Sequence, residues 1–445
     1  SLSKKPLTEG LHLNKKNITK PLKEKIICKA IKLHAEGNIV DALKYYEYCL
    51  KQKFDDYRVF LNYGSILKGD CKFKEAELFT RKAIKLNPNL IEAYSNLGSI
   101  LFELRKLNEA ELVLRKAIKM DPNFYNTNLN LGIVLKALNK LEEAEKYTLI
   151  AIKINPVYAG SYINLGSILK GLGRLKEAEI NTRKAIELNC NYADAYYNLG
   201  GILIDLERFD EAKKYTNKAI ELNPNYADAF LNLGNIMIHQ DKINEAEDFT
   251  RKAIELNPIS EQAKLNLALI LLKTSKFKEG LELYESRWKL KNIKKPFTAT
   301  KPEWSIEKRG RVLLWAEQGI GDEILFASMI PEINSLVDQL IVHIDERLVP
   351  LFKRSFNKEI IYSYKKKTID KDEYDYQISM GSIIKELREN KENFRIGKKA
   401  YLKVNESQTK LFRDKICKDD NSKKIVGISW ISKSQKNKNK SISLE

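Results

Sequence analysis

Apolar and polar positions recur with helical period over residues 25–290, and the small residues among them repeat every 34 positions. Ala42, Ala76, Ala110, Ala144, Ala178, Ala212, Ala246 and Gly280 share one phase. Gly64, Gly98, Gly132, Gly166, Gly200 and Gly234 share a second, with Ala30 and Ala268 in that place at the two ends. Each unit therefore predicts two antiparallel helices that meet where a large side chain would force them apart. Asn87-Pro88, Asn155-Pro156, Asn223-Pro224 and Asn257-Pro258 end second helices, because proline cannot continue a helix and disfavours helical geometry before it. Alone, a unit leaves an apolar face open, so the core must come from stacking. The first unit, with Lys29-Ala30, reads as a cap, and the last, with Gly280 and Arg287, as a junction.

At 100° per residue, the first helix of the third unit places Ala93, Tyr94, Leu97, Gly98, Ile100 and Leu101 on one side. Glu92, Asn96, Ser99 and Glu103 fall on the other. One residue on that polar side repeats from the second unit to the eighth: Asn62, Asn96, Asn130, Asn164, Asn198, Asn232 and Asn266. Asparagine inside a helix costs about 0.6 kcal/mol relative to alanine, so seven cost on the order of 4 kcal/mol. Composition supplies asparagine but not its phase. A side-chain amide offers two donors and an acceptor, a match to the C=O and N–H of an extended polypeptide backbone. Bonding between neighbouring units, fixing the twist of the array, is the alternative.

The repeat resembles the tetratricopeptide repeat over residues 25–290, eight units of it. That resemblance implies a superhelix whose first helices line a concave groove. The amide series is similar to the asparagine ladder of the O-linked N-acetylglucosamine transferase superhelix, which implies polypeptide binding along the groove.

After residue 290 the pattern changes. Residues 291–310 read as a linker, and Arg311–Glu317 as a buried strand. Further apolar runs at Gln339–Ile344, Glu359–Tyr364, Tyr376–Met380 and Lys424–Trp430 alternate with helical stretches at Arg347–Phe356, Ser382–Arg388 and Ser407–Cys417. That alternation predicts a parallel, Rossmann-like sheet. Gly319-Ile320-Gly321-Asp322 would sit at the carboxyl end of its first strand, where ligands bind in such folds. By itself the pattern is a tight turn with an aspartate at a helix start.

The stretch Tyr284-Glu285-Ser286-Arg287-Trp288, Pro302-Glu303-Trp304 and Trp315–Asp322 resembles the junction of bacterial tetratricopeptide-repeat glycosyltransferases. There the repeats precede a GT-B domain similar to the heptosyltransferases. The resemblance implies that Asp322 acts as general base on an acceptor hydroxyl, with Glu317, Gln318, Gly319 and Gly321 around the acceptor. Pro331 lies farther from the Gly-Asp pair than in the heptosyltransferase pattern. The nucleotide-sugar donor would belong to a second Rossmann-like domain, of which residues 424–445 are only the start. Ser432, Lys433, Ser434 and Lys440 would meet its phosphates, or form a loop. The fold expected is thus an all-α tetratricopeptide superhelix followed by an α/β Rossmann-like domain at 311–423, the first half of a truncated GT-B fold. The chain reads as a fragment, inactive in sugar transfer alone. Two functions follow: a polypeptide-binding arm of a glycosyltransferase acting on a protein or glycan acceptor, or a non-catalytic interaction scaffold.

Charge changes this picture little. The net charge is +19, of which residues 291–445 hold +10, residues 1–24 hold +4 and the repeats only +5. A nucleic-acid surface would be a basic stripe with aromatics, and the polar face of the repeats carries Asn and Ser instead. The first 24 residues read as a basic flexible tail. Five scattered cysteines without a C-x-x-C and four separated histidines predict neither a disulfide framework nor a metal site. With no apolar run long enough to cross a bilayer and no secretory signal, a cytoplasmic location and no resident cofactor are expected.

Overall fold

The computed structural model describes residues 19–290, 301–317, 319–364, 369–395 and 401–417. The chain divides into two compact units, Ser1–Pro258 and Ile259–Glu445.

The first unit is seven helical hairpins in series. Their first helices are α1 (Lys20–Ala35), α3 (Tyr57–Gly69), α5 (Ile91–Glu103), α7 (Tyr125–Ala137), α9 (Ala159–Gly171), α11 (Ala193–Asp205) and α13 (Ala227–His239). Their second helices are α2 (Ile39–Lys51), α4 (Phe73–Leu86), α6 (Leu107–Met120), α8 (Leu141–Ile154), α10 (Leu175–Leu188), α12 (Phe209–Leu222) and α14 (Ile243–Leu256). Helix α1 begins at Lys20, ahead of the expected end of the tail at residue 24, with Pro21 in its first turn. Proline suits that place, where its missing N–H would have no partner anyway.

The phased small residues do what their size predicts. A Cβ added at Gly132, Gly166 or Gly200 would collide with the hydroxyl of Thr148, Thr182 or Thr216 on the second helix of the same hairpin. Gly98 faces Leu114 in the same way. Thr80, Thr148, Thr182 and Thr250 donate their hydroxyls to the alanine carbonyl four residues earlier, at 2.7–2.8 Å, so a polar atom is buried at these four crossings without loss.

Consecutive first helices touch (α5 with α7, α7 with α9, α9 with α11), whereas consecutive second helices approach far less. The unit therefore curves with its first helices on the inside. Long side chains span the wider outer spacing. Arg115 bonds Glu111 of its own helix at 2.8 Å and Glu143 of the next second helix at 2.6 Å, and Lys140 returns to Glu111 at 2.8 Å.

The eighth hairpin, α15 (Glu261–Lys273) and α16 (Phe277–Tyr284), belongs to the second unit. A 3-10 turn at Glu285–Lys289 follows. The strands β1 (Arg311–Trp315), β2 (Gln339–Ile344), β3 (Ile361–Tyr364) and β4 (Tyr376–Ser379) form one parallel sheet in the order β3-β2-β1-β4. Between them run α17 (Ile320–Phe326), α18 (Ile330–Leu336) and α19 (Val349–Ser355), followed by α20 (Ile383–Leu387) and α21 (Glu406–Cys417).

Alternation along the strands buries both faces. Val312, Leu314, Leu340, Val342 and Ile378 pack with Ile330, Ile333 and Phe352. Leu313, Trp315, Ile341 and Tyr374 form the other core, with Trp288 against it. Residues 301–310 are part of this unit and not a free linker. Trp304 is buried, its backbone N–H bonds Gln377 O at 2.9 Å and its indole N–H bonds Lys308 O at 2.9 Å. The expected strand at Lys424–Trp430 lies outside the described residues.

Candidate functional site

Six of the seven phased asparagines are half-buried; Asn164 is buried. Their hydrogen bonding divides them. Asn130 Nδ2 reaches the preceding hairpin, 3.2 Å from Ser95 Oγ and 3.3 Å from Ser95 O. Asn164 Nδ2 donates to Thr148 Oγ1 at 3.0 Å, also in the preceding hairpin. These two amides tie neighbours together, the alternative role weighed for the whole series. Asn62 turns its amide onto Arg58 O of its own helix at 2.8 Å, and Asn266, in the second unit, accepts from Gln262 at 2.8 Å. The side chains of Asn96 and Asn198 make no hydrogen bond among the described residues. Asn232 Nδ2 is buried without a partner there, as is Thr216 Oγ1 of the preceding hairpin.

Three lysines in one phase of the repeat, which the sequence reading did not single out, join this face. Lys68 Nζ lies 3.3 Å from Ser99 Oγ, Lys136 Nζ lies 3.3 Å from Ser167 Oγ, and Lys170 Nζ lies 2.8 Å from Gly201 O. Ser99, Ser167 and Gly201 each stand three residues after a phased asparagine, one helical turn along the same face. Burial pushes the Lys68 and Lys136 ammoniums below the ordinary lysine range.

In the second unit, Asp322 is the third residue of α17, half-buried, with its backbone N–H on Gly319 O at 3.0 Å. A Cβ at Gly319 or Gly321 would meet nothing within 4 Å, so packing inside the protein does not demand either glycine. Glu323 beside them is buried and accepts the Asp345 backbone N–H at 2.8 Å, joining α17 to the end of β2.

Glu317 is not free to meet an acceptor. Its side chain is 2% exposed, as is that of Arg287, whose Nη2 donates to Glu317 Oε2 at 3.0 Å. Arg287 also bonds Glu285 Oε1 at 2.7 Å and Ser382 Oγ at 2.8 Å, and its guanidinium stacks over Tyr284 and Trp288. Ser382 in turn donates to Glu285 Oε2 at 2.9 Å. A Cβ at Gly381 would collide with the Glu317 carboxylate. Burial pushes the Glu317 carboxyl above the ordinary carboxylate range, opposed by Arg287 and Ser379. The cluster fastens the turn after α16 to the carboxyl ends of β1 and β4. The sequence reading marked Arg287 as part of a junction but did not reveal its partners.

Gln318, Ser432, Lys433, Ser434 and Lys440 lie outside the described residues. Among the described residues, no group of three or more His, Cys, Asp or Glu side chains could hold a metal ion, and no helix is long and apolar enough to cross a membrane.

Three family models described as tetratricopeptide repeat match this chain: one at residues 193–226, a second at 113–146 and 215–248, a third at 91–124 and 159–191. Protein FlbA of Caulobacter vibrioides is 31% identical over 134 residues, covering 26% of this chain and 22% of that protein. The chain thus matches less than a quarter of that relative's length. Among solved structures, the APC/C hetero-tetramer Cut9-Hcn1 is similar at 17% identity over 62% of this chain and 57% of that one, with a TM-score of 0.49. YrrB, described as a TPR protein with an unusual peptide-binding site, is 26% identical over 41% of this chain and 95% of that one, with a TM-score of 0.33. The helical array is built of tetratricopeptide repeats, and a small parallel sheet follows it.

Proposed function

We propose that the inner face of the repeats holds an extended polypeptide, gripped by side-chain amides that meet its backbone. The observation that carries this is the fixed phase of asparagine on the first helices, together with Asn96 and Asn198, whose amides are not spent inside the protein in the way those of Asn130 and Asn164 are. Each amide pairs with one backbone unit of the guest, so affinity comes from chain direction and length more than from side chains. The test is a peptide selected by display on the full chain, measured against the Asn96/Asn198→Ala variant. Affinity should fall at least tenfold while helicity and melting hold. Equal affinity in the variant overturns the assignment.

We further propose that the sheet unit belongs to a glycosyl-transfer domain, with Asp322 as general base toward the acceptor hydroxyl. A four-stranded parallel sheet in the order β3-β2-β1-β4, with the Gly319–Asp322 turn directly after β1, supports that reading. The donor, a nucleotide sugar, and a protein or glycan acceptor follow from it. Full-length protein incubated with a nucleotide-sugar panel and the selected peptide should transfer sugar, and Asp322→Asn should abolish transfer while leaving peptide affinity intact. Absence of transfer with every donor leaves the interaction scaffold as the function.

A further inference from the structure

The inner face carries lysine at one repeated position. Lys68, Lys136 and Lys170 occupy one position in the second, fourth and fifth hairpins, six residues after the phased asparagine. The sixth, seventh and eighth hairpins place Ile204, Ile238 and Leu272 there. Acidic residues stand on the first helices of the third, sixth and seventh hairpins: Glu92, Glu103, Asp194, Asp205 and Asp228. Lys170 is satisfied by the Gly201 carbonyl and by Asp205 at 3.4 Å, and Asp194 accepts the Tyr226 hydroxyl at 2.6 Å.

Lys136 differs. Among the described residues its ammonium has one hydrogen-bond partner, the neutral Ser167 hydroxyl, and no carboxylate within ion-pair distance. Lys68 is placed alike on Ser99, with Glu103 only near enough to act through space. A half-buried ammonium without a counter-charge is unfavourable, and a chain folding for stability alone would place an aliphatic residue there. Ile204 and Ile238 show that the position accepts one.

We propose that two of these lysines select the guest: Asp or Glu side chains of an extended polypeptide meet Lys68 in the second hairpin and Lys136 in the fourth. This rests on the polypeptide reading above and deepens it. The asparagines grip the backbone, and the two ammoniums choose which stretch of it lies beside them. Opposite charge complements an unpaired ammonium, and a bond to a charged group that is shielded from water is among the stronger single contacts available.

Dye-labelled peptides of equal length, with amidated C-termini, test this on the full chain by fluorescence anisotropy. One alternates Glu with Gly, one Ser with Gly, and one Lys with Gly. The Glu peptide should bind about tenfold more tightly than the Ser peptide in low salt, an advantage that salt reduces. Lys68→Gln/Lys136→Gln should erase that advantage and leave the Ser peptide unaffected, whereas Asn96/Asn198→Ala should weaken both. Equal affinities for Glu and Ser peptides, or an advantage that survives the lysine variant, overturn the charge selection while the polypeptide reading stands. No binding of any peptide overturns both. A single-stranded oligonucleotide that binds as tightly as the Glu peptide and ignores Asn96/Asn198→Ala overturns the choice of polypeptide as guest.

Discussion

At the turn inside every hairpin one residue takes a left-handed backbone: Gly37, Cys71, Arg105, Asn139, Gly173, Glu207, Asp241 and Ser275, with φ between 55° and 76°. The position repeats every 34 residues, yet only two of the eight are glycine. For the others the Cβ is crowded against the backbone, at a cost on the order of 1 kcal/mol. The geometry persists because the next N–H closes the helix end, as Lys106 N–H does on Leu101 O at 2.9 Å. Arg105→Gly should therefore raise stability by about 1 kcal/mol and Arg105→Val should lower it, read as opposite shifts of the urea midpoint. The same scale limits what the sequence tells of the ladder. Its phase is plain from spacing, but which amides are already engaged depends on neighbours the spacing does not reveal. Asn130 is bonded because the third hairpin carries Ser95 where others carry Leu61, Leu129 or Ile163.

At the scale of the element, hairpins were legible because size at two positions dictates how closely the helices pack. Glycines outside those positions have a different meaning. Gly69, the last residue of α3, would meet nothing within 4 Å if it carried a Cβ. Gly69→Ala should stabilise by about 0.5 kcal/mol, whereas Gly132→Val, driven into Thr148, should destabilise by roughly 2–3 kcal/mol. Chemical denaturation of both variants should give shifts of opposite sign. The parallel strands were readable as apolar runs, since burial of both faces leaves no alternation to obscure them. The ion-pair cluster at Arg287 was not, because its partners Glu317 and Ser382 lie 30 and 95 residues away.

Removing that cation leaves two acidic groups in a buried place. Arg287→Met should destabilise the second unit by about 3–5 kcal/mol at neutral pH. Burial then holds the Glu317 carboxyl above its unfolded value with no cation to oppose it. A group raised on folding contributes its full stability below the unfolded pKa, about 4.3, and loses it as pH rises through the folded one. The melting difference between Arg287→Met and the parent should therefore shrink from pH 7 toward pH 4.5. A difference that grows on acidification contradicts this account of the cluster.

At the scale of the molecule, the repeats and the sheet part company at a different place from the one the sequence pattern marks. The repeat phase runs unbroken to residue 290, but compactness divides the chain at Pro258, leaving the eighth hairpin with the sheet. Spacing reports the ancestry of the helices, whereas Arg287, Trp288 and Gly381 decide where the eighth hairpin packs. The use proposed for the phased amides of the first unit is to hold a guest chain along the inner face. The most direct test places a benzophenone side chain either at position 198, on the inner face, or at position 112, where Leu112 is 70% exposed on a second helix. Both proteins are irradiated with the display-selected peptide. Crosslinking from position 198 and none from position 112, abolished by excess unlabelled peptide, is the predicted result. Crosslinking from position 112 with none from 198 would contradict a guest held along the asparagine face.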